Sequence, residues 1–317
     1  MSESKVDTST LPYPGPFQRR FLAPRFWPTW GAIGLLRLLT WLPGSWRRSL
    51  GRRLGDMIYR RHGKRRRFVH LNLSWCFPAR SEVEREAMAR GYFRTMVQTL
   101  LDYGVLWWAG ERRLRSTIEF EGTEHIQPHL DAGRPVIILT LHSVALDFGG
   151  SAFTSRYPTV SIFKEARNPL LDWYIARGRA RFGCVLYARG ESMRPIVRAV
   201  KQGRAFYYLP DEDLGPDRSV FAPLFGIPTA TITALSRIAR MTGAAVLPYT
   251  TVYLPDEGRY VAKLFPAMES FPGDDEQLDA ARMNEELEKL IMQAPEQYMW
   301  SLRLFQTRPN GEPNPYG

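Results

Sequence analysis

The stretch "GRPVIILTLH" at residues 133–142 is the strongest constraint on how this chain folds. Side chains along a strand alternate between faces, so the consecutive apolar residues Val136, Ile137, Ile138 and Leu139 supply apolar groups to both. Such a strand needs cover on both sides, and helices supply it when the sheet is parallel. Further candidate strands are "STIEFEG", "TVSIFK", "GCVLYA", "GRAFYYLP" and "AAVLPYTTVYL". Helical spacing is expected at residues 169–182, 192–202 and 231–242, between many of those strands, and from Ser81, where Glu84 three positions later makes a helix-start signal. The alternation predicts an α/β fold with a mainly parallel sheet flanked by helices.

A chain of 317 residues with 44% hydrophobic content can bury a sizeable core. Its two cysteines, Cys76 and Cys184, form neither a disulfide framework nor a zinc pattern, which suits a reduced compartment. The formal net charge of +11 is local, since residues 1–70 hold 15 basic and 3 acidic side chains. The cations cluster at Arg19 and Arg20, Arg47 and Arg48, Arg52 and Arg53, and along "RRHGKRRR" at residues 60–67.

Residues 1–25 carry Pro12, Pro14, Pro16 and Pro24 without periodicity and read as a flexible arm. Residues 27–46 are rich in tryptophan and leucine and only just reach the roughly 20 residues that a transmembrane helix needs. Two membrane readings stand, a single span or a helix lying in the interface with Arg37 snorkelling and tryptophans at the water boundary. A buried core helix is the structural alternative, and the cations on both flanks favour an anionic bilayer surface over it, each worth about 1 kcal/mol there. No small-residue cleavage site marks a secretory signal. Nucleic acid ranks lower as a partner, because no recognisable nucleic-acid-binding module follows the basic run.

His142 stands where the apolar run ends, with Asp147 five positions on. A histidine at a strand end can be purely structural, half-buried and hydrogen-bonded. The chemical reading comes from the carboxyl ends of strands, where open α/β sheets bind ligands. Five positions along one helix leave side chains about 140° apart, so contact between the two requires His142 in the strand-end turn and Asp147 in the first turn of the next helix. The carboxylate could then fix the imidazole tautomer while the other ring nitrogen takes a proton from a hydroxyl. There is no G-x-S-x-G elbow for Ser143, and neither cysteine lies in a catalytic signature, so the attacking hydroxyl is expected to come from the substrate. His125 and His129 lack the H-E-x-x-H glutamate, and no metal site is expected.

H-x-x-x-x-D after a buried strand resembles the first motif of the lysophospholipid acyltransferase superfamily. Longer blocks resemble one branch of it, the late (secondary) acyltransferases of lipid A biosynthesis: "LGRRLGDMIYRRHGKRRRFVHLNLSWCFP", "FKEARNPLLDWYIARGRARFG", "LYARGESMRPIVRAVKQGRAFYYLPDEDLGP" with "VFAPLFGIPTAT", and "APEQYMWSLRLFQTRP". Many members carry glutamate where this chain has Asp147. The resemblance implies transfer of a fatty acyl group from an acyl carrier protein thioester to a hydroxyl of a lipid A precursor, with no bound cofactor and no covalent acyl-enzyme, on the cytoplasmic side of the bacterial inner membrane. His142 would be the general base and Asp147 its partner. A different lipid acceptor, or a non-catalytic protein that binds anionic lipid, are the alternatives. The chain is expected to divide into a flexible arm at 1–25, a membrane-associated helix and basic segment at 26–70, and an acyltransferase α/β domain with its leading helix at 71–317.

Residues 164–204 hold ten basic and three acidic side chains, a second local excess that suits phosphate. Lys164, Arg179 and Arg189 are the candidates for glycolipid phosphates or the carrier's phosphopantetheine, and Asn168 of the N-P-L-x-D-W block is a further substrate-binding candidate. Asp211, Glu212 and Asp213 follow another strand. Asp213 is expected to organise that loop or to bind sugar, and the glycines and prolines of "APLFGIPTAT" to shape an acyl groove or to pack.

Overall fold

The computed structural model describes residues 13–190 and 192–317. A seven-stranded sheet is built from β1 (Ile118–Glu121), β2 (Val136–Leu139), β3 (Thr159–Phe163), β4 (Val185–Ala188), β5 (Ala205–Tyr208), β8 (Ala245–Leu254) and β9 (Arg259–Leu264), and β6 (Ser219–Leu224) and β7 (Ile227–Ile232) form a separate hairpin. The sheet order is β1-β9-β8-β2-β5-β3-β4, and every pairing is parallel except β8 with β9. The expected mainly parallel sheet is therefore present, with β2 in its middle.

All four residues of β2 are buried, as an apolar run with cover on both faces requires. On one face Ile138 of β2 and Tyr207 of β5 pack with Phe148 and Phe153 of α7 (Leu146–Thr154). On the other, Ile137 and Phe206 pack with Ile196 of α9 (Arg194–Lys201), Ile238 of α10 (Ala234–Thr242) and Leu287 of α11 (Glu276–Ile291). Chain leaving β2 thus covers one face, and chain leaving β5, its neighbour, covers the other. Adjacent strands whose connections part in this way open a crevice at their carboxyl ends.

The helix expected from Ser81 is α4 (Glu82–Trp108), and its capping box is formed, with the Glu84 N–H donating to Ser81 Oγ and the Ser81 N–H to Glu84 Oε2. The helix expected at 231–242 begins only at Ala234, because residues up to Ile232 belong to β7. The glycine of "APLFGIPTAT" makes the hairpin turn, where Phe225 and Gly226 both take positive φ and Pro223 faces Pro228 across the ribbon.

Two expectations for the amino-terminal region change. No described helix is long and apolar enough to cross a membrane. Residues 27–46 are not one helix: α1 (Trp27–Leu39) ends, a turn follows, and α2 (Gly44–Arg61) starts after Pro43. A proline lacks the N–H that would carry the helix through. Of the expected flexible arm, residues 1–12 lie outside the described residues, and 13–25 dock through Tyr13, Gly15 and Phe21 while most of their other side chains stay exposed. The Tyr13 ring packs tilted against Phe163 with centroids 4.3 Å apart, Trp173 of α8 (Pro169–Ala180) donates to the Gly15 carbonyl, and Phe21 is buried in an aromatic cluster with Trp173. Aromatic side chains thus supply the burial that the prolines obscure in the sequence. α3 (Gly63–Cys76) runs through residue 70, so that expected boundary falls inside a helix, whose Asn72 holds the Trp300 and Leu302 carbonyls.

Candidate active site

Leu139 of β2 pairs with Tyr208 of β5, and three residues beyond each come His142 and Asp211. Matching steps from a shared register bring the two together over the crevice. His142 Nδ1 lies 2.7 Å from Asp211 Oδ1, and the His142 backbone N–H donates to Oδ2 at 2.8 Å. A third donor, the Tyr298 hydroxyl, reaches Oδ2 at 3.0 Å. The carboxylate, only 2% exposed, is thus held on all sides.

The loop that carries His142 is fixed by the carboxyl-terminal part of the chain. Met299 N–H donates to the His142 carbonyl and Val144 N–H to that of Gln297, while Ser143 and Tyr298 form an antiparallel bridge. Because an ionised carboxylate only accepts, Asp211 places the imidazole proton on Nδ1 and leaves Nε2 as an acceptor. Burial opposes a charge on His142, but the Asp211 carboxylate, its hydrogen bond and nearby Glu212 outweigh that, and the His142 pKa is raised. Burial likewise opposes charge on Asp211, whose pKa is lowered by His142 and by the hydrogen bonds it accepts.

Asp147 does occupy the first turn of α7, as contact with His142 required, yet it pairs elsewhere. Arg179 Nε stands 2.6 Å from Asp147 Oδ1 and Nη2 3.3 Å from Oδ2, and Tyr103 of α4 donates to Oδ2. The expected direct contact between His142 and Asp147 is therefore absent. The rotation of α7 explains this. Phe148 stacks flat on Tyr260 at 3.7 Å, and a Cβ at Gly149 would come within 1.9 Å of Thr251 Oγ1, so that face is pressed onto β8 and β9. Asp147 is left facing α8 and α4. Burial works against its charge, and Arg179 overcomes that to hold its pKa below the usual value.

His142 and Asp147 nonetheless line one cavity of about 490 Å³, together with Lys164, Arg179, Arg189 and Glu212. Arg237 and Arg218, which the sequence did not single out, join them there. Arg189 is paired with Glu212, whose Oε1 is 3.9 Å from His142 Nε2. Lys164 is exposed at the rim. Apolar walls come from Ile162, Leu186, Met193, Ile196 and Ile232.

Two candidate substrate contacts serve the fold instead. Asn168 caps α8 by accepting from the Leu170 and Leu171 N–H groups and donates to Thr29 Oγ1 at 2.8 Å, tying α1 to α8. Asp213 accepts from Gly215 N–H and from the Thr307 N–H and hydroxyl, which organises its loop. Arg179, being committed to Asp147, is the least available of the three candidate cations.

Among the described residues no group of three or more His, Cys, Asp or Glu side chains could hold a metal ion. The Cys184 thiol lines the cavity but burial pushes its pKa up to about 12, and Cys76 is buried in the core with its own raised further. Neither is poised as a thiolate nucleophile. Tyr298 and Tyr103 carry no marker in the sequence, and Asp211 and Glu212 stand there only within an acidic cluster. The signal that could have found Asp211 was its distance past a strand, equal to that of His142.

A model of bacterial lipid A biosynthesis acyltransferases matches residues 15–307. A lipid A biosynthesis lauroyltransferase of Escherichia coli K12 is 37% identical over 95% of this chain and 98% of its own. A lipid A biosynthesis palmitoleoyltransferase of the same organism is 36% identical over 95% and 98%, and a lipid A biosynthesis acyltransferase of Haemophilus influenzae is 35% identical over 96% of each chain. The crystal structure of a 1-acyl-sn-glycerophosphate acyltransferase from Thermotoga maritima covers 78% of this chain and 95% of its own, at 17% identity and a TM-score of 0.37, a likeness too slight to carry an argument.

Proposed function

Because the chain belongs to the bacterial lipid A biosynthesis acyltransferase family, we propose that it moves a fatty acyl chain from an acyl carrier protein thioester to a hydroxyl of a lipid A precursor. The observation that carries the chemistry is the His142–Asp211 pair, whose locked tautomer leaves Nε2 free to accept a proton in the cavity. Nε2 takes the proton of the acceptor hydroxyl as its oxygen bonds to the thioester carbon. The C–S bond then breaks, and the same proton passes to the departing sulfur. General base catalysis of this kind contributes about 10² to 10⁴ in rate.

Asp211 and Tyr298 position the imidazole. The Asp147–Arg179 pair forms a charged wall of the same cavity, and Lys164, Arg189 and Arg237 give its mouth the cationic character that glycolipid phosphates require. The apolar wall offers the acyl chain a place out of water.

The reaction is assigned to the cytoplasmic face of the inner membrane, with the amino-terminal helices as the lipid contact. Trp27, Trp41 and Trp46 are 64%, 71% and 67% exposed, and Leu35 and Leu38 are exposed between them. Tryptophan and leucine beside Arg37, Arg48, Arg52 and Arg53 suit an element lying in the interface of an anionic bilayer.

The test is mass spectrometry of lipid A from cells with and without the gene, joined to an assay of the purified protein with acyl carrier protein thioester. Loss of one secondary acyl chain, and turnover abolished by His142→Ala, are expected. Unchanged lipid A, or full turnover by the variant, would remove the proposal.

A further inference from the structure

We propose that the cationic corner where α2 meets α3 is the docking surface for an acidic acyl carrier protein, an inference that rests on the donor proposed above. Arg60, Arg61, Lys64 and Arg65 are exposed at this corner, and none has a carboxylate within ion-pair distance among the described residues. The nearest acids are already committed. Asp56 pairs with Arg94, and Glu86 is shared by Arg90, Tyr59 and His70. Four exposed cations without an ion pair, at the end of α2 and the start of α3, are a surface that a polyanionic partner would complete.

This corner is joined to the reacting histidine. Arg61, Lys64 and Arg65 line a groove with Tyr92, Met96 and Met299. Met299 donates its N–H to the His142 carbonyl at 2.9 Å, and Tyr92 bonds Ser301 Oγ at 2.8 Å. The segment that clamps His142 thus also lines the cationic groove.

The chemistry of the corner differs from that of α1. A surface that enters a bilayer needs large apolar side chains beside its cations. These are concentrated at Trp27, Leu35, Leu38, Trp41 and Trp46, whereas between residues 52 and 67 Met57 alone is an exposed large apolar residue. Cations without an inserting face favour an acidic protein over lipid, with steering and salt sensitivity as their signature.

The test uses the full-length chain in detergent with the triple variant Arg61→Ala, Lys64→Ala, Arg65→Ala, and two donors, acyl carrier protein thioester and uncharged acyl-pantetheine. The expected result is a KM for the carrier donor raised about tenfold or more with kcat kept. Kinetics with acyl-pantetheine and retention on anionic phosphatidylglycerol vesicles should be unchanged. An unaltered KM for the carrier donor would overturn the inference, as would an equal rise for both donors. Loss of vesicle retention with carrier kinetics intact would give the corner to lipid and overturn it too. A wild-type chain that turns over acyl-pantetheine but ignores the carrier thioester would instead defeat the proposed donor itself.

Discussion

Arg179, through its Nε 2.6 Å from Asp147 Oδ1, occupies the carboxylate that chain spacing assigns to His142. The motif's two polar residues therefore do different things while facing the same cavity. His142 draws its partner from beyond the neighbouring strand β5, and Asp147 neutralises a half-buried guanidinium.

With the carboxylate committed to Arg179, Asp147→Asn should chiefly cost stability. It leaves the Arg179 charge, two-thirds shielded from solvent, without its counter-ion, and removing one member of such a partly screened pair costs about 1–3 kcal/mol. The double variant Asp147→Leu, Arg179→Met should recover most of that loss in denaturant unfolding. An Asp147→Asn protein of native stability with a displaced pH profile would return Asp147 to the imidazole.

Membrane attachment should depend on the exposed tryptophans. Replacing Trp27, Trp41 and Trp46 together by Ser removes apolar surface that supports no core. The variant should keep its thermal unfolding midpoint in detergent while shifting from the pellet to the supernatant in vesicle sedimentation. Undiminished pelleting would place the lipid contact elsewhere.

Direct attack by the acceptor hydroxyl predicts that acid-quenched turnover, read by intact-protein mass spectrometry, shows no acyl adduct. The raised pKa values of Cys184 and Cys76 agree with this. An adduct that appears and decays at the rate of turnover would establish a covalent path.

Much of the fold was legible in the sequence, because Val136–Leu139 and Ala205–Tyr208 are apolar on both faces and such strands need a sheet covered on both sides. The hairpin was not, since Pro223 and Pro228 discount strands and only their mutual pairing in an isolated ribbon admits them. Nor was the packing of residues 13–25, where scattered aromatics find partners on α8 that have no neighbours in sequence. At the site, His142 was legible as the end of an apolar run. Its partner was not, because the contact depends on the register of β2 with β5, and register across a sheet is set by pairing rather than by spacing along one strand.

The central claim, that His142 held by Asp211 deprotonates the acceptor, makes the acid limb of the rate profile a property of that pair. A base must be unprotonated to act, so with the His142 pKa raised by Asp211 the wild-type kcat/KM should rise with pH through a value above the ordinary 6.5. Asp211→Asn removes the carboxylate that favours the imidazolium, so the limb should move to lower pH. The maximal rate should fall about 10² to 10⁴-fold as the tautomer is lost. The most direct measurement is kcat/KM against pH for the wild type and Asp211→Asn side by side. A displaced limb with a large loss of rate is the predicted result, and superimposable profiles would contradict the account.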